Sequence, residues 1–235
     1  MQAPPIIAHR TCPLDAPENS LAGINVAAES GADAVEIDLR LSLDGEPFLM
    51  HDWLMRRTAG FPLPVELTPA FLIRRQRLRD GGAPVPSLSD ALDALPAGLG
   101  LAVDLKTPWA AGALLREVER RGLADRVRIW CTSARAVRYV VRRAPAIECA
   151  YLKGVTAAAA KTRFLDRAVE LGAGAVSAHW QAIDGDFVTA AHAAGLRVYS
   201  WHSRYDLTPA KLTAGLDGLI TDRPAAARRA YADLV

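Results

Sequence analysis

Short apolar runs alternate with helix-like stretches along the whole of this 235-residue chain, and that alternation leaves few folds open. The runs fall at 6–8, 34–39, 48–50, 99–105, 127–131, 147–152, 175–178, 198–201 and 218–221. Between them lie stretches rich in Ala, Leu, Arg and Glu, such as 114–121, 134–143 and 164–171. This is the pattern of an α/β protein with a largely parallel sheet. Arg121-Gly122 and Leu171-Gly172 close two of the helices, as a glycine just past a helix end does. Nine runs are one more than an eight-stranded barrel needs. The Asp44-Gly45 turn between the second and third runs absorbs the surplus as a short β-hairpin on the rim.

One region is irregular. Residues 52–86 hold Pro62, Pro64, Pro69, Pro84, Pro86 and the Gly81-Gly82 pair. This is too short for a separate domain, so it reads as a loop and short helix laid over one rim. Residues 1–235 are therefore expected to form one domain with a rim insertion at about 52–86.

At 51% hydrophobic, the chain can bury one large core. Its 28 basic and 26 acidic side chains leave a net charge of +2, too balanced to point to nucleic acid or a membrane surface by charge alone, and no nucleic-acid partner is expected. Cys12, Cys131 and Cys149 are odd in number and lack CxxC spacing, which argues against a disulfide framework or a zinc site. No segment reaches 18 apolar residues, and the opening MQAPPIIAHR has no basic region followed by an apolar stretch. The expectation is a cytoplasmic protein without integral membrane association; oligomeric state is not written in the sequence.

The chemistry starts at Ala34-Val35-Glu36-Ile37-Asp38-Leu39. Strand alternation puts Glu36 and Asp38 on one face, about 7 Å apart, and Val35, Ile37 and Leu39 on the other. Two carboxylates inside an α/β protein need a cation, because desolvating both as anions costs several kcal/mol each. The other reading is an edge strand with its carboxylates in water. An all-oxygen pair suits Mg²⁺ or Ca²⁺ better than zinc. Asp104 and Lys106 end the run 99–105 in the same alternating way. Asp104 is a candidate third ligand and Lys106 a phosphate contact, against a plain strand-end ion pair.

His9-Arg10 and His51-Asp52 each follow an apolar run, at the strand ends where barrel enzymes place their chemistry. Two imidazoles facing a metal can act as general base and general acid near neutral pH. Arg10 offers a planar fork for phosphate oxygens, or a surface ion pair. Asn19 or Ser20 suits a helix N-cap, and capping alone accounts for both. Trp201 ends a run and either faces an apolar part of a substrate or packs in the core. Asp222 and Pro224 read as the N-cap and first residue of the final helix. His179 and Lys153 are further strand-end candidates.

Together these pieces resemble the glycerophosphodiester phosphodiesterase family, within the phosphoinositide-phospholipase-C-like barrel phosphodiesterases. The motifs run in order through nearly the whole chain: Ala8-His9-Arg10, Pro17-Glu18-Asn19-Ser20, Gly31 through Asp38, Leu43-Asp44-Gly45, His51-Asp52, Pro86-Ser87-Leu88, Val103 through Lys106, Val198 through Trp201 and Gly218 through Pro224. The resemblance implies a TIM-type (β/α)8 barrel with Glu36, Asp38 and Asp104 around a divalent cation, Mg²⁺ or Ca²⁺. It implies His9 and His51 as the acid–base pair, Arg10 and Lys106 near the phosphate, and Trp201 at the substrate. The partner it implies is a small-molecule phosphodiester, cleaved to glycerol 3-phosphate and an alcohol. Alternatives are a lysophospholipase D or other lipid phosphodiesterase on the same site, with Trp53, Phe61 and Phe71 admitting an acyl chain, or a non-catalytic barrel that binds phosphorylated ligands.

The chain departs from the family pattern at four places. Asp104 stands for a glutamate, Thr11 for a glycine, and Ser20 for a threonine, while His202-Ser203-Arg204 replaces the usual Thr-Val-Asn. Asp104 shortens a ligand by one methylene, Thr11 narrows a backbone approach, and Arg204 or His202 would favour an additional negative group on the alcohol.

Overall fold

A computed structural model describes residues 3–201 and 212–234 of the chain. Eight parallel strands close into a ring: β1 (Ile6–Ala8), β2 (Ala34–Leu41), β4 (Gly100–Leu105), β5 (Val127–Cys131), β6 (Glu148–Lys153), β7 (Ala175–His179), β8 (Arg197–Trp201) and β9 (Gly218–Thr221), with β9 returning to β1. The ninth, β3 (Pro47–Leu49), runs antiparallel to the end of β2, with Leu39, Arg40 and Leu41 opposite Leu49, Phe48 and Pro47. The fold is the TIM-type barrel that the resemblance implied, and β3 is the hairpin strand outside the ring.

Alternation sorts the strand side chains. Inward-facing Ile7, Ala34, Ala102, Trp130, Ala150, Ala175, Tyr199 and Ile220 fill the barrel, while Val35, Ile37, Leu39, Leu101, Val103 and Leu105 face outward into the core shared with the helices. Alanines on several strands leave room for two rings, and Trp130 and Tyr199 take it with centroids 5.5 Å apart. Gly218 belongs to the same packing, since a Cβ there would come within 2.4 Å of the Tyr199 ring. The filled interior is a closed floor rather than a pore.

The helices begin and end where local chemistry dictates. Ser20 caps α1 (Leu21–Glu29) by accepting from the Gly23 amide, and Ser87 and Asp90 form a reciprocal capping box at α4 (Leu88–Ala94). Gly122 and Gly172, both left-handed, close α5 (Ala110–Arg121) and α7 (Ala158–Leu171). The three cysteines are buried and unpaired.

The rim insertion is more ordered than a loop with one short helix. It contains α2 (Arg56–Ala59), a 3-10 turn at Val65–Leu67 and α3 (Ala70–Ile73). Phe48, Met50, Met55, Val65, Ala70, Ile73, Leu78 and Val85 form its own apolar cluster. Spaced Met, Val and Ile between prolines supply that cluster, and no helical or strand period advertises it.

Candidate active site

The strand register assembles the acidic group. Asp38 on β2 lies beside Asp104 on β4, and Glu36 beside Ala102. One carboxylate oxygen from each of Glu36, Asp38 and Asp104 lies within 4.8 Å of the others, and all three side chains are buried. Two groups fix the β2 pair. The Arg10 amide donates to Glu36 Oε2 at 2.7 Å. Asn19 donates through Nδ2 to Asp38 Oδ2 at 2.7 Å and accepts from the Asp38 amide at 2.9 Å. Asn19 is thus not the helix cap, a task Ser20 performs; its side chain pairs with a carboxylate oxygen and the backbone amide of one aspartate.

Placing that loop requires an unusual backbone. Arg10, Thr11, Cys12 and Asn19 all have positive φ, at 42°, 62°, 62° and 53°. Left-handed geometry is costly for a β-branched threonine, which explains why a glycine at position 11 would be at ease. Thr11 gains a contact in return, its Oγ1 accepting from the Ser20 amide at 3.1 Å. Helix α1 presses against this turn at Gly23, where a Cβ would come within 2.1 Å of the Thr11 carbonyl oxygen.

Electrostatics follow from crowding buried carboxylates. Burial and then the Asp38 charge push the Glu36 carboxyl up to about 8. Asp38 is held below the usual carboxylate range: burial opposes this, but Lys106, Arg10 and His51 outweigh it. Asp104 is raised by burial, with Lys106 opposing. Lys106 donates to Asp104 Oδ2 at 2.5 Å and stands 3.0 Å from Asp38 Oδ1. Burial works against the ammonium, yet Asp38, Asp104 and Glu36 hold it above the ordinary lysine value. Arg10 Nε stands 3.5 Å from Asp38 Oδ2.

The donor set fits a hard divalent cation. It is all oxygen; Asp104 Oδ1 is buried without a hydrogen-bond partner; and burial together with the Asp38 charge holds Glu36 toward its neutral form, which a bound cation would reverse. The shortened Asp104 still reaches the group.

Both histidines are held by carboxylates. His9 Nδ1 lies 2.6 Å from Asp222 Oδ1, and His51 Nδ1 lies 2.7 Å from Asp52 Oδ1. With Nδ1–H given to the carboxylate, Nε2 is left for proton exchange. Burial lowers the His9 pKa, but the bond to Asp222 and the charge of Glu36 raise it overall. At His51 burial prevails over Asp38 and the value falls. Asp52 is braced in turn by Arg57 Nε at 2.5 Å, and Arg57 reaches Glu18 with two bonds of 2.7 and 2.6 Å.

One cavity of about 110 Å³ gathers His9, Arg10, Glu36, Asp38, His51, Asp104, Lys106 and Trp201, with Trp130, Leu152, Ser177 and Ile220. All eight residues singled out in the sequence therefore share one site. Trp201 is half-buried, packs on the barrel interior and meets His179 edge-on at 4.8 Å. Lys153 does not line the cavity; its ammonium lies over the Tyr151 ring. Trp53, Phe61 and Phe71 do not line it either. His202, Ser203 and Arg204 lie outside the described residues.

One assignment changes. Asp222 is not a cap: Arg223 precedes the final helix, Pro224–Ala232, at the cap position, and the Asp222 carboxylate holds His9. Pro224 does open that helix. Arg57 had no signal of its own in the sequence, and Trp130 and Ser177 were hidden inside apolar runs.

A (β/α)8 barrel with an acidic triad and two carboxylate-held histidines at its C-terminal strand ends has the layout of a barrel enzyme's site. Family comparison narrows this: residues 9–226 match the Glycerophosphoryl diester phosphodiesterase family, and the chain belongs to it. Among curated relatives, bovine glycerophosphodiester phosphodiesterase 1 is 56% identical over 52 residues, which cover 22% of this chain and 16% of that protein. The match thus spans under a fifth of the relative's length. Among solved structures, a Parabacteroides distasonis glycerophosphodiester phosphodiesterase aligns with a TM-score of 0.85 at 22% identity, covering 99% of this chain and 98% of that one. An Oleispira antarctica phosphodiesterase in complex with the product sn-glycerol-3-phosphate aligns with a TM-score of 0.82 at 24% identity, covering 97% and 96%. The last two show a shared fold.

Proposed function

We propose that this barrel hydrolyses glycerophosphodiesters to glycerol 3-phosphate and an alcohol, with a divalent cation, Mg²⁺ or Ca²⁺, held by Glu36, Asp38 and Asp104. The observation that carries the reading is one small cavity in which this triad is flanked by two carboxylate-held histidines. When bound, the cation supplies electrostatic stabilisation of charge on the phosphoryl oxygens.

The chain's own residues do the rest. His51, whose pKa is lowered, is neutral at physiological pH and takes the proton from the attacking oxygen at Nε2. His9, whose pKa is raised, is the better proton donor of the two and delivers a proton from Nε2 to the leaving alkoxide. Environments that drive two such groups apart are how acid and base roles are divided. Asp52 and Asp222 fix both rings and stabilise their protonated forms. Arg10 and Lys106 contribute cationic donors toward the phosphoryl group. Asn19 and the Arg10 amide hold the β2 carboxylates in place. We take the substrate to be a small soluble diester and residues 1–235 to act as one unit.

The test is release of glycerol 3-phosphate from a panel of glycerophosphodiesters, with EDTA and with Mg²⁺ or Ca²⁺ restored. Metal-dependent turnover that His9→Ala abolishes supports the reading. Turnover untouched by EDTA, or retained in His9→Ala, rejects it.

A further inference from the structure

The part of the cavity wall formed by β5 and β7 is built on a different principle: Trp130 stands beside Asp104 in the β4–β5 register, and Ser177 lies further round the ring. Trp130 on β5 is 2% exposed and Ser177 on β7 is fully buried, and both line the cavity. Among the described residues, neither Trp130 Nε1 nor Ser177 Oγ has a hydrogen-bond partner. Buried polar atoms in native proteins are almost always paired. With Trp201 Nε1, which is also unpaired, they make three uncharged orphans on the lining of one cavity, and they point to a ligand that pairs them.

Trp130 cannot escape by turning away. Its ring is packed against Tyr199, whose hydroxyl donates to Glu148 Oε1 at 2.5 Å and so anchors the stack from below. Residues on β6, β7 and β9 complete the interior cluster around it. The indole N–H is therefore held at the wall.

The chemistry of the ligand follows. An indole N–H only donates, and a serine hydroxyl both donates and accepts. Together they match an alcohol oxygen and its proton. Neither is charged, whereas Arg10 and Lys106 stand against Asp38 on the β2 side of the cavity. The charged side suits phosphoryl oxygens and the neutral side suits hydroxyls. Space sets the size: about 110 Å³ is well below the roughly 300–1,000 Å³ of sites that enclose drug-sized ligands.

We propose that Trp130 Nε1 and Ser177 Oγ read the hydroxyls of a small polyol on the phosphate, so that this wall selects which side of the diester is enclosed. The inference rests on the phosphodiesterase reading above and adds the residues that set its specificity. The polyol lies within, and the alcohol to be released stands at the mouth.

The experiment compares glycerophosphoethanolamine with a matched diester in which an ethyl group replaces glycerol. Trp130→Phe and Ser177→Ala are each expected to cut the wild-type preference in kcat/KM for the glycerol diester about tenfold, the size of one lost hydrogen bond. In calorimetry, each should weaken glycerol 3-phosphate about tenfold while ethyl phosphate binds alike in all three proteins. A preference unmoved in Ser177→Ala, or equal losses on both diesters, overturns the proposal. A serine of merely structural role would not move that ratio. If Trp130→Phe fails to fold, as circular dichroism would show, Ser177→Ala decides. If the wild type turns over neither diester, the phosphodiesterase reading fails, and the calorimetric pair still decides whether the wall reads hydroxyls.

Discussion

On the side of the barrel formed by β1, β2, β4 and β9, the functional groups are tied to second groups: His9 to Asp222, Glu36 to the Arg10 amide, Asp38 to Asn19 and Asp104 to Lys106. Further round the ring, on β5 and β7, Trp130 and Ser177 keep polar atoms that nothing described in the chain satisfies. The first side is organised by the fold, which meets the cost of crowding carboxylates and of a left-handed loop before any ligand arrives and leaves Asp104 Oδ1 open for a cation. The second is completed by what binds. Chemistry needs groups that do not move when charge develops, whereas selection needs groups whose pairing depends on the ligand.

The contrast can be broken from the organised side, largest effect first. His51→Ala removes the base and is expected to cut kcat about a thousandfold with little change in KM, checked by steady-state rates on a glycerophosphodiester. Glu36→Gln keeps the shape of the triad and removes a charge. About a hundredfold loss at saturating Mg²⁺ is expected, with weaker metal binding by calorimetry. A triad that is only structural would show neither.

Asp222→Asn leaves His9 in place but weakens what raises its pKa. An acid must be protonated, so the rate falls as pH rises through its pKa. The variant should lose roughly tenfold in rate, with the alkaline limb of its pH profile moved to lower pH. An unshifted limb would separate Asp222 from the acid step.

The smallest effect is on stability. Glu36 keeps its proton in the fold up to about pH 8, whereas an unfolded glutamate loses it near its ordinary value of about 4.3. Between these limits the folded state binds the extra proton, so in EDTA this group's contribution to stability falls as pH rises. Thermal unfolding of metal-free protein should show that slope, and Glu36→Gln should lessen it. Added Mg²⁺ should raise Tm most at the alkaline end, where the carboxylate is free to bind it.

Much of this was legible in the sequence because barrel strands are short apolar runs. The runs at 6–8, 127–131 and 218–221 coincide with β1, β5 and β9, and the Asp44-Gly45 turn marked the β3 hairpin. The eight site residues also converge, because charged and imidazole side chains stand out at strand ends. What stayed hidden acts across long separations. Asp222 lies 213 positions from its histidine, and its neighbour Pro224 made capping the nearer explanation. Asn19 was likewise obscured by a real cap beside it. Trp130 and Ser177 looked like core because they are core on every side except one.

The filled floor of the barrel also bears on the order of events. With Trp130 and Tyr199 packed across the interior, the described residues close the cavity below, so what enters at the rim leaves at the rim. If the polyol sits beneath and the alcohol at the threshold, the alcohol departs first and the polyol phosphate last. Glycerol 3-phosphate should then inhibit competitively against the diester, the free alcohol should not, and accumulated product would throttle the enzyme at its exit rather than at its chemistry.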